Sequence, residues 1–170
     1  MRALVVYETL WGNTERVARA IAGELGAGMP VEVVDSDAAP TTVDGYDLVV
    51  VGGPTHAFST TRASTRENAV KQHGAPHAPS RGIREWLTEL ERPPHRIQAA
   101  TFDTRVDSPR LPGSAAKAAK QELRSLGFDV VVKPKTFRVH GYEGPLVDGE
   151  LERATAWGTA LSRTVLASQA

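Results

Sequence analysis

Three short runs of this chain hold side chains and glycines whose types and spacing suit chemistry on a bound ligand. The first is Glu8-Thr9-Leu10-Trp11-Gly12-Asn13-Thr14-Glu15. It offers two hydroxyls, an amide and a glycine that lets the backbone turn tightly. A helical pattern begins immediately after it, so unpaired backbone N–H groups and the positive end of the helix dipole point into the loop. Such a loop cradles a phosphate without needing a lysine. The competing reading is local, with Thr9 and Asn13 doing no more than capping the helix.

The second run, Gly52-Gly53-Pro54-Thr55-His56-Ala57-Phe58, follows an apolar stretch and combines a fixed turn with polar and aromatic side chains. Pro54, Thr55, His56, Ala57 and Phe58 form a second candidate wall, and His56 alone reads equally as a solvated turn residue. The third run is Thr101-Phe102-Asp103-Thr104-Arg105. Asp103, Thr104 and Arg105 supply an acceptor, a hydroxyl and a cation, or else an exposed ion pair worth almost nothing.

Other constellations fail on spacing. No Gly-x-Gly-x-x-Gly and no Gly-Lys-Ser/Thr occurs, so neither a Rossmann dinucleotide site nor a P-loop is supported. His73 and His77 are four apart, but Gly74, Ala75 and Pro76 between them forbid a helical metal pair. A hydrolase triad has no Gly-x-Ser-x-Gly elbow. A receiver-type phosphoacceptor would need an aspartate where the chain has Gly52-Gly53. No metal site and no catalytic side chain is assigned.

The elements that must position these runs are legible in the hydrophobic pattern. Ala3–Tyr7, Val31–Asp35, Asp47–Val51 and Ile97–Phe102 read as short apolar strands, and Phe128–Val132 as a fifth, extendable past Pro134 to Val139. Thr14–Leu25 carries Val17, Ala18, Ile21, Ala22 and Leu25 at helical spacing. Ser80–Leu90, Ser114–Leu126 and Gly149–Ala167 read as further helices, and Trp86 and Trp157 fall at their core positions. The stretch from Thr55 to Pro79 reads as irregular, with a helical turn or two around Arg66–Gln72. Strands alternating with helices at short connections predict a doubly wound α/β fold, one domain over residues 1–170, with a parallel sheet covered on both faces. In such a sheet ligands bind beyond the carboxyl ends of the strands, where strand order reverses. All three candidate runs sit at strand carboxyl ends.

Composition narrows the classes. Twenty Lys and Arg balance twenty Asp and Glu, and there is no cysteine. The first fact removes the electrostatic footprint of a nucleic-acid binder, and the second removes thiolate, iron–sulfur and cysteine-zinc chemistry. No apolar run approaches the length of a membrane span, and the N-terminus reads as a first strand rather than a signal peptide. A soluble cytoplasmic protein, with neither nucleic acid nor membrane as partner, is the expectation. The charge is uneven along the chain. Residues 1–61 hold 3 basic and 8 acidic side chains, whereas residues 62–138 hold 15 basic and 8 acidic. The middle of the chain is a candidate positive field for an anionic ligand, unless its charges are scattered over solvated faces.

The run Thr9-Leu10-Trp11-Gly12-Asn13-Thr14 resembles the phosphate loop of the flavodoxin-like superfamily, whose usual form is Ser/Thr-x-Thr-Gly-Asn-Thr. Trp11 stands where flavodoxins proper have a hydroxyl residue, as in flavin reductase and flavo-diiron relatives. The resemblance covers the whole chain as a short-chain member, without the insertion that splits the fifth strand of long-chain flavodoxins. Pro54-Thr55-His56, Phe102-Asp103-Thr104-Arg105 and Glu143–Glu150 are similar to an actinobacterial-type flavodoxin-domain group. It implies a five-stranded sheet of order 2-1-3-4-5 and flavin mononucleotide (FMN) as cofactor. It further implies phosphate on Thr9–Thr14, and the flavin ring between the Pro54–Phe58 and Asp103–Arg105 loops. Arg105 beside the ring's N1 and O2 would favour an anionic reduced flavin. The aromatic that sandwiches the ring in shuttle flavodoxins is missing from the third loop, with Trp11 or Phe58 as substitutes. Shuttle flavodoxins are strongly acidic, unlike this balanced chain, so electron transfer or two-electron reduction of a quinone or similar small acceptor is expected. The alternative is an interaction or regulatory module on the same fold that has lost flavin binding.

Overall fold

A computed structural model describes residues 1–170. The chain runs β1 (Ala3–Tyr7), α1 (Asn13–Leu25), β2 (Val31–Asp35), β3 (Leu48–Pro54), α2 (Ala63–His73), α3 (Ile83–Glu89), β4 (Gln98–Val106), α4 (Ala115–Ser125), β5 (Asp129–Val130), β6 (Lys135–Val139) and α5 (Glu150–Ala167). All strand pairs are parallel and the sheet order is β2-β1-β3-β4-β5, with β6 also on β4. The doubly wound expectation holds, including the reversal of direction between β1 and β3.

Sheet parity decides which side chains meet which helices. Ala3, Val5, Tyr7, Leu48, Val50, Ala100 and Phe102 face one side and pack on α1 and α5. Leu4, Val6, Val49, Val51 and Ala99 face the other and pack on Ile83, Trp86 and Leu87 of α3 and on Ala119 and Leu123 of α4. Successive strand residues point to opposite faces, so continuous apolar runs are what a sheet covered on both sides requires. Trp86 is fully buried, and its Nε1 donates to the Pro40 carbonyl at 2.9 Å. Trp157 sits edge-on to Phe102 and Phe137 at 6.3 Å each. No helix is long and apolar enough to cross a membrane.

Two sequence expectations change. The fifth sheet position is filled by two short strands, β5 against Gln98–Ala99 and β6 against Phe102–Val106. Pro134 lies in the gap between them and has no N–H to give a ladder. The stretch read as irregular contains an eleven-residue helix, α2. Its apolar spacing is weak because it does not lie on the sheet. Ala69 packs with Leu10 and Ala75 in a small separate cluster. The inward charge of α2 is Arg66, 3% exposed, which donates to Thr61 Oγ1 at 3.0 Å and pairs with Glu85. Thr61 in turn donates to Glu8 Oε2 at 2.5 Å, and the Ile83 N–H donates to Glu8 Oε1 at 2.8 Å. A buried polar network therefore ties α2 and α3 to the carboxyl end of β1.

Candidate functional site

The loops at the carboxyl ends of β1, β3, β4 and β6, with one side of α2, enclose a cavity of about 570 Å³. Its floor is the β1–α1 loop. Gly12 has φ 98°, a left-handed conformation that glycine adopts freely, and a side chain there would meet open space. The first helical bond of α1 runs from the Arg16 N–H to the Gly12 carbonyl at 3.1 Å. The amides of Asn13, Thr14 and Glu15 thus precede the helical ladder and remain as donors at the positive end of the dipole. Thr9 Oγ1 accepts from the Gly12 N–H at 2.9 Å and keeps its own proton.

Two further donor groups belong to residues that line the cavity. Trp11 Nε1 is buried and has no hydrogen-bond partner, the mark of a group that awaits an acceptor. Thr14 Oγ1 lies 2.7 Å from Thr104 Oγ1. One hydroxyl donates within that pair, so the other keeps its proton for a third partner. Asn13 takes a different part: its Nδ2 donates to the Glu143 carbonyl at 3.0 Å and anchors the β6–α5 loop. Gly144 makes this approach possible, since a Cβ there would lie 2.7 Å from the Asn13 amide.

The β3 wall contributes Pro54, Thr55, His56 and Ala57. His56 and Ser59 exchange two backbone hydrogen bonds, at 2.9 and 3.1 Å, across Ala57 and Phe58. Both central residues have positive φ, 46° and 70°, the backbone of a tight turn that ordinarily selects Asn and Gly. The turn holds the His56 ring against the cavity. Burial, with the fields of His73 and Arg66, depresses its pKa to about 4, so the imidazole is uncharged at neutral pH.

The β4 wall contributes Thr104, Arg105 and Val106, continued by Ser108, Pro109 and Leu111. Asp103 and Phe58, expected at the ligand, are not in the cavity wall. Asp103 is fully buried on the opposite sheet face, where its Oδ2 accepts from Ser114 Oγ at 2.5 Å, Thr55 Oγ1 at 3.1 Å and the Ala116 N–H at 3.1 Å. It fastens the start of α4. Phe58 is 55% exposed and turns outward, its backbone against Gly113. Gly12 shapes the floor without lining it.

Sequence reasoning missed the outer wall. Thr65, Asn68, Ala69 and His73 of α2 line the cavity, as do Val139, Gly141 and Tyr142 after β6. The Tyr142 ring stacks on His73 at 3.9 Å and lies 6.4 Å from Trp11. An aromatic therefore does reach the site, from the β6 loop rather than the β4 loop. The only sequence signal for it was a tyrosine among glycines and a proline.

An open parallel sheet with a glycine-turned loop at its switch point defines a doubly wound α/β architecture. Within that architecture, this chain has the flavodoxin-like fold. The family model for flavodoxin matches residues 5–73, which includes the loop 9–14 and the wall 54–57. The fold extends the likeness over the chain. Flavodoxin 2 of Bacillus cereus superposes with a TM-score of 0.68 at 18% identity, covering 96% of this chain and 99% of that one. A flavodoxin from the domain Archaea gives 0.65 at 17%, covering 97% and 99%. The flavodiiron protein of Giardia intestinalis gives 0.62 at 19%, covering 98% of this chain but 36% of that one.

Proposed function

We propose that this chain binds FMN in the cavity and transfers electrons through it to or from a small acceptor such as a quinone. The observation that carries the reading is the gathering of donor groups in residues around one floor. These are the three leading amides of α1, the orphaned Trp11 Nε1, the Thr9 hydroxyl and the spare proton of the Thr14–Thr104 pair. They suit the phosphate of FMN, which the flavodoxin family carries. No lysine or arginine is needed, because backbone amides and the dipole supply the positive potential.

When bound, FMN supplies the redox chemistry; the protein's part is orientation, exclusion of water and electrostatics. Thr9, Trp11 and the amides of Asn13–Glu15 would hold the phosphate end. Pro54–Ala57 on one side and Thr104–Val106 on the other form the walls for the ring. Tyr142, with Trp11, supplies the flat apolar cover. Uncharged His56 leaves Arg105 as the cation nearest the ring site, which favours negative charge there.

The test is a visible absorption spectrum of the purified protein before and after titration with FMN, followed by gel filtration. Flavin bands that travel with the protein, or saturable quenching of flavin fluorescence, are expected. Absence of binding at high protein concentration would discard this reading in favour of an interaction module on the same fold.

A further inference from the structure

The carboxyl ends of β4 and β6 carry a pair of cations that take no part in the phosphate cradle. Arg105 and Arg138 are register partners on adjacent parallel strands, so their side chains leave the same sheet face about 5 Å apart. Both are half-buried. Each guanidinium is tethered to a backbone carbonyl: Arg105 donates to Leu111 in the loop after β4, and Arg138 Nη1 donates to Val106 at the end of β4 at 3.3 Å. Neither guanidinium forms an ion pair with a carboxylate, although the Arg138 backbone N–H donates to Glu150 Oε2 at 2.6 Å. Arg110, on the same loop, has Asp107 at 3.4 Å as its one ion partner. Burial, together with the fields of Arg105 and Arg110, holds the Arg138 guanidinium below its ordinary value against the opposing fields of Asp107 and Asp103.

Two half-buried like charges on adjacent strands, offset only by the fields of Asp107 and Asp103 and by no direct ion pair, are costly, and a bound anion relieves them. Each tether occupies one of five guanidinium N–H donors, so the rest are available in a fixed arrangement. Arg105 lines the cavity and Arg138 stands behind it, outside the lining, at the wall formed by β4 rather than at the β1–α1 floor. We propose that Arg105 and Arg138 together recognise an oxyanion group, a carboxylate, sulfonate or phosphate, on the small redox substrate of this cavity. That the ligand is redox-active rests on the FMN reading. That it is anionic rests on the arginine pair alone.

The experiment compares anthraquinone-2-sulfonate with neutral 2-(hydroxymethyl)anthraquinone. Dissociation constants come from tryptophan fluorescence in the flavin-free chain and from flavin fluorescence in the FMN-loaded chain. The sulfonate is expected to bind about tenfold more tightly, the scale of one charge-assisted hydrogen bond, and added salt should shrink that preference. Arg138→Gln keeps a hydrogen-bond donor for the Val106 carbonyl but removes the charge, and should abolish most of the preference. Arg138→Lys should retain it, and FMN affinity should not move in either variant. Equal binding of the two probes by the parent chain, or a preference untouched by Arg138→Gln, overturns the proposal. A chain that prefers the sulfonate yet takes up no FMN keeps the anion site and refutes the FMN reading. A chain that takes FMN without discriminating does the reverse.

Discussion

Thr14, on the first turn of α1, and Thr104, near the end of β4, place their hydroxyl oxygens 2.7 Å apart although ninety positions separate them in sequence. Both side chains are almost fully buried. The contact joins the cradle floor to the β4 wall, so the two halves of the site are set by one hydrogen bond. Replacing either hydroxyl should disturb both.

Thr14→Val keeps the shape and removes the hydroxyl. The expected loss of FMN affinity is about 1–2 kcal/mol, the scale of a hydrogen bond to a charged group. Thr104→Val should cost a similar amount, and the double variant less than the sum, because one pair supplies one spare proton. Fluorescence titrations of the four proteins measure this. Additive losses would mean that the two hydroxyls act independently.

Glu8 is 1% exposed, and burial raises its pKa above 4.5 despite help from Thr61, the Ile83 amide and Arg66. The folded chain then holds this proton more tightly than the unfolded chain does. Its contribution to stability is greatest at low pH and falls as pH rises from about 4.5 through the raised folded value. Glu8→Gln should remove that decline. Urea unfolding of both proteins between pH 4 and 8 should show the variant gaining on the parent as pH rises; parallel curves would contradict it.

His56 acts with the opposite sign. Its pKa falls from 6.5 to about 4 on folding, so the unfolded chain binds the proton more readily. This contribution is fully present above about 6.5 and is lost as pH falls toward 4. The ring's NMR titration should show a midpoint near 4. A midpoint near 6.5 would place the imidazole in open water.

Gly52 on β3 is covered by the Phe102 ring, its register partner on β4. A Cβ at position 52 would fall inside that ring. Gly52→Ala should therefore destabilise the fold by about 1–3 kcal/mol, the usual cost of overpacking. Combining it with Phe102→Leu should recover part of the loss. Thermal or urea unfolding across the double-mutant cycle decides, and simple additivity would mean the ring moves aside freely.

The anatomy of the site was partly legible before the fold was known. The loop 9–14 and the turn at Gly52–Pro54 stand out because glycine, hydroxyl and proline chemistry is local, and hydrophobic spacing tells which strand each loop follows. Asp103 shows where that reading fails. Its neighbours Thr104 and Arg105 line the cavity although they leave opposite faces of the strand, so alternation alone does not place Asp103. Which face is open depends on α4, whose Ser114 and Ala116 take the Asp103 carboxylate. The helix α2 was nearly invisible for a related reason: it buries an arginine against Glu85 and Thr61 rather than an apolar stripe against the sheet.

By itself the sequence determined the alternation of strands and helices, the sheet covered on both faces and the phosphate-type loop at the first strand's end. Each of these follows from periodicity and from residues next to one another in the chain. Tertiary structure alone decided that Tyr142 stacks on His73, that Asn13 anchors Glu143, that Phe58 turns outward and that Arg105 stands beside Arg138. Those pairings are set by sheet register, helix docking and the packing of loops against one another, and no local run of residues encodes them.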